Sequence, residues 1–512
     1  MISAWPYKKK VLILIAVSSV LRGIISFWLE LANDESYYLL YSQFLQWNYF
    51  DHPPMVALSI RLFTANLYLE DYPFFLRLGS IAGCALCTWF MYKCVSTLST
   101  ERSGWLAACL YNASFYCSIT AGLLALPDAP QMIFWTYSLW MIAKITVNEN
   151  TWLNWILLGV STGLCIMSKV HGVYIWAGIG LYILIYKRNW LINPKVYISL
   201  LVTMIIISPI LIWNIQNDFI TYQFHSRRIV IYGYLFNWYN LLKEFVGELI
   251  VNNPINVILI IIALYTARKN YKNLLALSIY KFIGLSLVLV VLFLSLFRHT
   301  RPIWNGPGYV TLLPLAAIYL AGIKNINISR KIVYWGFGIF VCGLLACAFT
   351  INYYPGSFGS KTKADLGKGD ISLDMYGWKA AGKQFTELYK NEINKGIMPK
   401  GSPMICNSWW GAHQEYYFCK PSGMQMIGLG TMMELHQYMW TNEKRRNKVN
   451  FDNAYCVVAS DENYNVHDEY SRYYSQIDSV GIIEIFRNNK PAHNFYIYRL
   501  KGWKNNLPFH VQ

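Results

Sequence analysis

The sequence predicts a polytopic α-helical membrane protein with about eleven hydrophobic spans and a small α/β domain at the C-terminus. Of its 512 residues, 55% are hydrophobic and 14% are charged, which leaves too little polar surface to cover a soluble protein of this size. Apolar runs such as 195–213 and 279–297 approach the roughly 20 residues that cross about 30 Å of hydrocarbon. From about residue 351 the pattern changes to short alternating strands and one amphipathic helix.

Residues 1–350 are predicted to form the transmembrane domain. Its first span follows Lys8 to Lys10 and has no small-residue cleavage site behind it, so we interpret it as a retained signal-anchor. The apolar runs predict spans at 11–29, 74–98, 104–121, 130–147, 152–168, 172–186, 195–213, 246–266, 279–297, 304–322 and 332–350.

The formal net charge of +17 follows the connections between spans. Basic residues concentrate at Lys8 to Lys10, Arg102, Lys187 and Arg188, Arg268 to Lys272, and Arg330 and Lys331. This positive-inside bias predicts a cytoplasmic N-terminus and, with an odd span count, an outer location for the tail. The segments then predicted on the outer side are 30–73, 122–129, 169–171, 214–245 and 298–303. No basic stripe with interleaved aromatics lies elsewhere, which argues against nucleic-acid binding.

Residues 351–512 are predicted to form an extracytoplasmic α/β domain. The spacing predicts a helix over 378–393 and strands over 454–460, 480–486 and 494–500. The Gly/Ser/Lys-rich stretch Pro355 to Gly369 is predicted to be a flexible or functional loop. Three of the 11 cysteines lie in this domain (Cys406, Cys419 and Cys456), which permits one disulfide.

The first outer loop, 30–73, begins with two adjacent acids, Asp34 and Glu35. One interpretation is structural: Asn33 or Asp34 caps a helix and Glu35 complements its dipole. The same loop also contains Asp51 and His52 before a diproline, which fixes φ and removes two donors. That Asp-His pair is suited to holding a divalent metal, orienting a base or binding a phosphate oxygen, and its alternative is a turn that enters the next helix.

Three further outer segments carry polar groups at span ends. They contain Asp128 between two prolines, Lys169 with His171, and the run from Arg298 to Tyr309 that includes Arg301. Lys169, Arg298, Arg301, Arg227 and Arg228 depart from the inside bias, so we interpret them as candidates for binding an anion, with membrane-surface anchoring as the alternative.

An acid near the membrane surface with several cations suits the transfer of a sugar away from a lipid phosphate. The acid acts as general base toward an acceptor hydroxyl, and the cations neutralise charge that develops on the leaving phosphate. No nucleotide is required.

Four motifs resemble the GT-C superfamily of polyprenyl-phosphate-sugar-dependent glycosyltransferases, in its family 39-like bacterial branch related to protein mannosyltransferases and lipid A aminoarabinose transferases. They are Asp-Glu-x-Tyr-Tyr at 34–38, Tyr-Phe-Asp-His-Pro-Pro at 49–54, Leu-Pro-Asp-Ala-Pro at 126–130 and Arg-Pro-x-Trp-x-x-Pro-x-Tyr at 301–309. The four motifs occur in the order expected of the family and span about 300 residues. The resemblance implies a GT-C fold.

The resemblance casts Asp34 as the catalytic base, accompanied by Glu35. It implies contact of Tyr309 with the donor phosphate, and of an arginine that is either Arg227 or Arg228. Where relatives carry an acid and Lys before the diproline, this chain has Asp51 and His52, which puts a fixed cation there in doubt. In relatives a comparable outer domain caps the site. Trp409, Trp410, His413 and Glu415 of the tail are candidates for sugar contact or for plain core packing.

These observations predict an inverting glycosyltransferase of the bacterial inner membrane. It would move a hexose or pentose from undecaprenyl phosphate to a glycan, lipid or protein acceptor at the outer face, as in lipid A or cell-envelope glycan modification. One alternative is a transporter or flippase of a lipid-linked or acidic solute, which predicts mid-span ionisable residues and a repeated pair of broken helices. Another is a ligase that joins preassembled lipid-linked glycans. The sugar, the acceptor and metal dependence stay open.

Overall fold

The computed structural model describes residues 5–231, 236–270 and 274–504, without side chains at 267–270 and 274. It divides into two compact units. The transmembrane unit comprises Met1–Phe27 with Leu45–Gly343, and the C-terminal unit comprises Trp28–Phe44 with Leu344–Gln512. The segment that carries Asp34 and Glu35 therefore belongs to the same compact unit as the C-terminal residues.

Fifteen α-helices account for most of the described chain up to residue 353. Of these helices, the C-terminal unit contains α2, the last residue of α1 and the end of α15. The helices are α1 Tyr7–Trp28, α2 Asn33–Gln43, α3 Met55–Phe63, α4 Pro73–Leu98, α5 Glu101–Ala113, α6 Asp128–Val147, α7 Trp152–Ile166, α8 Val173–Tyr186, α9 Pro194–Gln216, α10 Ile220–Ile229, α11 Trp238–Asn252, α12 Pro254–Asn270, α13 Leu274–Ser295, α14 Gly306–Gly322 and α15 Ile326–Tyr353.

Long apolar helices give the chain the character of a membrane protein, but they do not support eleven spans. Within the described ranges, five helices are long and apolar enough to cross a bilayer (α1, α4, α9, α13 and α15), and a bent pair raises the number to six. Other predicted spans fall on shorter helices: 104–121 is interrupted where α5 ends at Ala113, and α7 has 15 residues. The cytoplasmic connection predicted at Arg268 to Lys272 lies largely outside the described residues.

The bent pair consists of α11 and α12, which the sequence predicts as one span. The two helices meet at 103° around Asn253, which has a φ of 69°. The Asn253 amide donates to the carbonyls of Ala113 and Gly336, each at 2.9 Å, and Pro254 begins the next helix. Because Asn tolerates the left-handed region and Pro is favoured at a first helical position, the sequence permits this break inside an apolar run.

The core of the transmembrane unit is mainly apolar, and several of its buried polar side chains are hydrogen-bonded to one another. Trp135 is fully buried, and its indole N–H donates to Thr311 Oγ1 at 2.8 Å, joining α6 to α14. In α1 the buried Arg22 donates to the Ser118 carbonyl at 3.0 Å and to Asn112 Oδ1 at 3.1 Å. Ser118 lies in a π-helical turn, Tyr116–Thr120, that follows α5. These bonds compensate part of the charged guanidinium, which would be costly in contact with lipid.

The C-terminal unit contains a five-stranded mixed sheet in the order β2-β1-β3-β5-β4. β1 is parallel to β2 and β3, whereas β5 is antiparallel to β3 and β4. The strands are β1 Met404–Cys406, β2 Met426–Gly428, β3 Asn453–Ala459, β4 Tyr474–Arg487 and β5 Lys490–Trp503. The helices of this unit after α15 are α16 Trp378–Asn394, α17 Gly411–Gln414, α18 Lys420–Ser422, α19 Met432–Leu435, α20 Tyr438–Arg445 and α21 Val466–Tyr470.

Two expectations about the tail are corrected by its packing. Cys406, Cys419 and Cys456 are buried free thiols, so the permitted disulfide is not formed. The stretch from Pro355 to Gly369 is closed by paired backbone hydrogen bonds between Ser360 and residues 367 and 368. The buried Asp370–Arg487 ion pair, at 3.0 Å, anchors its end. The loop is therefore held at both its middle and its C-terminal end.

Candidate active site

Asp34 lies in the first turn of α2, in the C-terminal unit. The helix begins at Asn33, and Ala32, rather than Asn33 or Asp34, occupies the N-cap position with an extended backbone. Glu35 accepts the Ala32 N–H at 2.9 Å, and Asp374 Oδ1 accepts the Asn33 N–H at 3.1 Å. The expected helix start is thus present, but its capping contacts come from Glu35 and from a distant residue.

The surroundings of this turn are acidic. Burial raises the pKa of Asp374 to about 7, and the charges of Asp34, Glu35 and Asp461 act in the same direction against the Asn33 N–H. Burial also acts to raise the pKa of Asp461, but His493, whose Nε2 lies 2.7 Å from Asp461 Oδ1, outweighs burial and lowers it. Asp374 and Asp461 were missed by the sequence analysis because no local pattern connects them to residue 34.

The tail residues considered for sugar contact have different surroundings. His413 is fully buried, with Nδ1 2.9 Å from Ser36 Oγ, and burial lowers its pKa to about 3. Glu415 forms an ion pair with Arg445 at 2.7 Å, so both His413 and Glu415 serve the packing of the unit. Trp409 and Trp410 are partly exposed, and Trp409 contacts the ring of Tyr37 with centroids 5.1 Å apart.

In the transmembrane unit, the loop with Asp51 and His52 is fixed on α10. Asn48 donates to Thr221 Oγ1 at 3.1 Å, and the Tyr49 N–H donates to the His52 carbonyl at 3.2 Å, which closes a turn. His225 Nε2 lies 2.8 Å from the Asp51 carbonyl oxygen. Pro54 takes the N-cap position of α3, as expected of a turn that enters a helix. His225 lay in a predicted outer segment, but the sequence analysis did not single it out.

His52 is uncharged at neutral pH. Burial lowers its pKa to about 4, outweighing the opposite effect of Asp51, while Lys169 and His225 reinforce the shift. Burial likewise lowers the pKa of His225. The imidazole of His52 is therefore a neutral hydrogen-bonding group.

Asp128 and Lys169 form a buried ion pair. The Lys169 ammonium lies 2.8 and 3.0 Å from the two carboxylate oxygens of Asp128, and both side chains are buried. The Tyr116 hydroxyl donates to Asp128 Oδ1 at 2.9 Å. The charges of this pair act on His52 and on His171, so the structure brings these four residues into one group. The Lys169 cation is already compensated by a carboxylate.

The arginines of the predicted outer segments differ in their exposure and in their contacts. Arg298 donates to the carbonyls of Val230 at 2.7 Å and Arg227 at 3.1 Å, and so closes the C-terminal end of α10. Arg227, Arg228 and Arg301 are exposed. The Arg228 guanidinium lies 4.1 Å from the ring centroid of Phe224, the residue next to His225, and its charge acts on His225. Arg228 is thus the arginine beside the Asp51 loop.

Tyr309 is held by a carboxylate that the sequence analysis missed. Its hydroxyl donates to Glu248 Oε2 at 2.7 Å, and the Asn305 amide donates to the other oxygen of the same carboxylate. One turn earlier, Glu244 accepts from the Thr300 hydroxyl at 2.7 Å. Two buried glutamates four residues apart beside an apolar run were the available signal, because ionisable groups at membrane depth generally have a function.

A metal at Asp51 and His52 is not supported by the arrangement of ligands. Within residues 5–231, 236–270 and 274–504, no three His, Cys, Asp or Glu side chains are grouped to hold a metal ion. The backbone carbonyl of Asp51 contacts His225 Nε2.

Comparison with known sequences gives one family match and a distant relative. A family model described as dolichyl-phosphate-mannose-protein mannosyltransferase matches residues 51–213. The lipid A galacturonosyltransferase RgtD of Rhizobium johnstonii is 22% identical over 303 residues. That alignment covers 58% of this chain, and the chain spans 63% of the length of the relative.

Comparison with solved structures covers nearly the whole chain. ArnT from Cupriavidus metallidurans bound to undecaprenyl phosphate matches with a TM-score of 0.62 at 12% identity, over 95% of this chain and 97% of that one. The oligosaccharyltransferase AglB from Archaeoglobus fulgidus, in complex with an inhibitory peptide and a dolichol-phosphate, matches with a TM-score of 0.50 at 12% identity, over 88% and 69%. At this identity the likeness is one of fold.

Proposed function

We propose that this chain is a glycosyltransferase of the GT-C superfamily, and that it transfers a sugar from a polyprenyl monophosphate, undecaprenyl phosphate, to an acceptor hydroxyl. The reaction takes place at the outer face of a bacterial inner membrane. The relative RgtD is a lipid A galacturonosyltransferase, so a lipid A-type glycolipid is the first acceptor to test.

The observation that carries the proposal is the placement of Asp34. It lies in the first turn of a helix whose leading N–H groups are bound by two other carboxylates, those of Glu35 and Asp374. This placement on a turn held in a fixed geometry supports the role that the family resemblance implies for Asp34, general base toward the acceptor. Glu35 has a supporting role in forming the turn.

In the proposed reaction, Asp34 takes the proton of the acceptor hydroxyl as its oxygen attacks the anomeric carbon. The bond between that carbon and the phosphate oxygen breaks, and polyprenyl phosphate leaves with the electron pair. A single displacement inverts the anomeric configuration. A base positioned in this way contributes about 10² to 10⁴ in rate.

We assign binding of the phosphate of the donor lipid to side chains of the transmembrane unit, some cationic and some neutral. Arg228 is the proposed phosphate ligand, because it lies beside the Asp51 loop, whereas Arg298 is bound to backbone carbonyls. His52, uncharged at neutral pH, is proposed to donate a hydrogen bond. Lys169, compensated by Asp128, adds less net charge than an isolated lysine would. Tyr309 contacts the phosphate in this proposal through a hydroxyl that Glu248 orients.

A deletion strain of the source organism tests the proposed function. Mass spectrometry of its lipids and envelope glycolipids is expected to show an accumulated polyprenyl monophosphate sugar and a glycolipid that lacks one sugar. The wild-type gene and an Asp71→Asn variant, altered at an exposed acid of the same predicted outer loop, should restore the glycolipid, and Asp34→Asn should not. Unchanged lipids and glycolipids in the deletion strain would overturn the proposal.

A further inference from the structure

The segment before α2 is held by residues more than 340 positions away in the chain. The Trp378 N–H donates to Glu30 Oε2 at 2.9 Å. The Leu31 N–H donates to the Tyr417 hydroxyl at 2.7 Å. These contacts join the chain that enters α2 to α16 and to the turn after α17, all within the C-terminal unit.

The helix itself has a further set of such contacts. Ser36 Oγ lies 2.9 Å from His413 Nδ1, and the Gln437 N–H donates to the Tyr37 hydroxyl at 3.3 Å. At the last turn, Gln43 Oε1 accepts from Arg445 at 2.7 Å. The C-terminal residues therefore hold α2 along its whole length, from its first turn to its last.

Asp374 contacts Asn33, the residue that precedes Asp34. A helix leaves its first N–H groups without intrahelical partners, and a side-chain acceptor at the N-cap normally supplies one. Ala32 occupies that position and has no such acceptor. Asp374 Oδ1 accepts the Asn33 N–H from 341 residues away and thus replaces the missing cap. In its ionised form, the Asp374 carboxylate also complements the positive end of the helix dipole.

We propose that Asp374 is a positioning residue for Asp34: it caps α2 from the C-terminal domain and so fixes the turn that carries the candidate base. The inference rests on the proposed role of Asp34. In this inference, the C-terminal domain helps to form the first turn of α2, which carries Asp34, in addition to any role in covering the site. Loss of the cap would let the first turn fray, and a base on a frayed turn spends less time in the reactive geometry.

Substitutions at Asp374 separate the capping contact from the negative charge. Asp374→Asn retains an oxygen that accepts the Asn33 N–H but removes the charge that faces Asp34, Glu35 and Asp461. Asp374→Ala removes both. Asn465→Ala is the matched control, because Asn465 caps α21 in the same unit by accepting the His467 N–H at 3.0 Å.

Two measurements on the purified full-length protein test the inference. The first is hydrogen exchange of the amides of residues 33–37, where Asp374→Ala should exchange at least tenfold faster, and Asp374→Asn and Asn465→Ala at the wild-type rate. The second is release of undecaprenyl phosphate from a lipid extract of the deletion strain. Relative to the wild type, Asp374→Ala should lower kcat about tenfold and leave KM within twofold. Asp374→Asn should retain most of the wild-type kcat.

Wild-type exchange in Asp374→Ala would overturn the inference. Equal loss of kcat in the Ala and Asn variants would also overturn it, because it would assign the effect to charge. Equal loss in Asn465→Ala would show general destabilisation instead. Full activity of Asp34→Asn would contradict the proposed base while leaving the exchange result interpretable, so the two failures are distinguishable.

Discussion

The first turn of α2 and the Asp51 loop both carry a motif with an acid, yet they use their polar groups differently. At α2 the carboxylates of Glu35 and Asp374 bind backbone N–H groups, which leaves the turn acidic. On the Asp51 loop the Asp51 carbonyl faces His225, His52 is uncharged, and the nearby Lys169 is paired with Asp128. Two motif acids of similar sequence context can therefore have different surroundings, and only the structure distinguishes them.

Disruption of the buried Asp128–Lys169 pair beside the Asp51 loop should give the largest change in stability. Lys169→Met should leave the Asp128 carboxylate buried and uncompensated, at a cost of about 3–5 kcal/mol in stability. Thermal unfolding in detergent measures this effect. The double variant with Asp128→Leu should recover most of the loss, since both charges are then absent. A single variant as stable as the wild type would contradict a structural role for the pair.

Substitutions at Arg228 and Arg227 test which arginine of α10 binds the phosphate of the donor lipid. Arg228→Ala should raise KM for the donor lipid about tenfold, equivalent to about 1.4 kcal/mol, because a charged hydrogen bond to phosphate is lost. Arg227→Ala is the matched control and should change KM less than threefold. Steady-state release of undecaprenyl phosphate measures both, and the reverse order of effects would assign the phosphate to Arg227.

The apolar runs predicted which segments form long helices, but sequence could not show how α2 is held. The hydrogen bond between Asn33 and Asp374 joins residues 341 positions apart, and no periodicity or motif records such a contact. The break at Asn253 was missed because the residues on both sides are apolar and read as one span. Glu248 was visible as a charge at a span end, but its partner Tyr309 was not.

The transporter alternative predicts a repeated pair of broken helices and ionisable residues within spans, and the structure can be compared with both features. One bent helix pair is present in the described ranges, rather than the repeated pair expected of an inverted-repeat transporter. The buried Glu244 and Glu248 are bound by Thr300, Asn305 and Tyr309 beside that bend. These contacts are those of a fixed polar cluster.

The titration of His52 should make stability depend on pH. Its pKa of about 4 lies below the value of about 6.5 expected in an unfolded chain. Between these values the unfolded state binds the extra proton, so stability should fall as pH drops from about 6.5 to about 4. His52→Asn should flatten part of this fall in unfolding midpoint, and exposed His467→Asn should not. Identical pH profiles for wild type and His52→Asn would contradict the buried, neutral state.

The central claim is that Asp34 is the general base, and one comparison of purified variants tests it most directly. With the lipid extract of the deletion strain as donor, Asp34→Asn should release undecaprenyl phosphate about 10² to 10⁴ times more slowly than the wild type. Asp71→Asn should keep the wild-type rate, and both variants should unfold at the wild-type temperature. A wild-type rate for Asp34→Asn would contradict the claim.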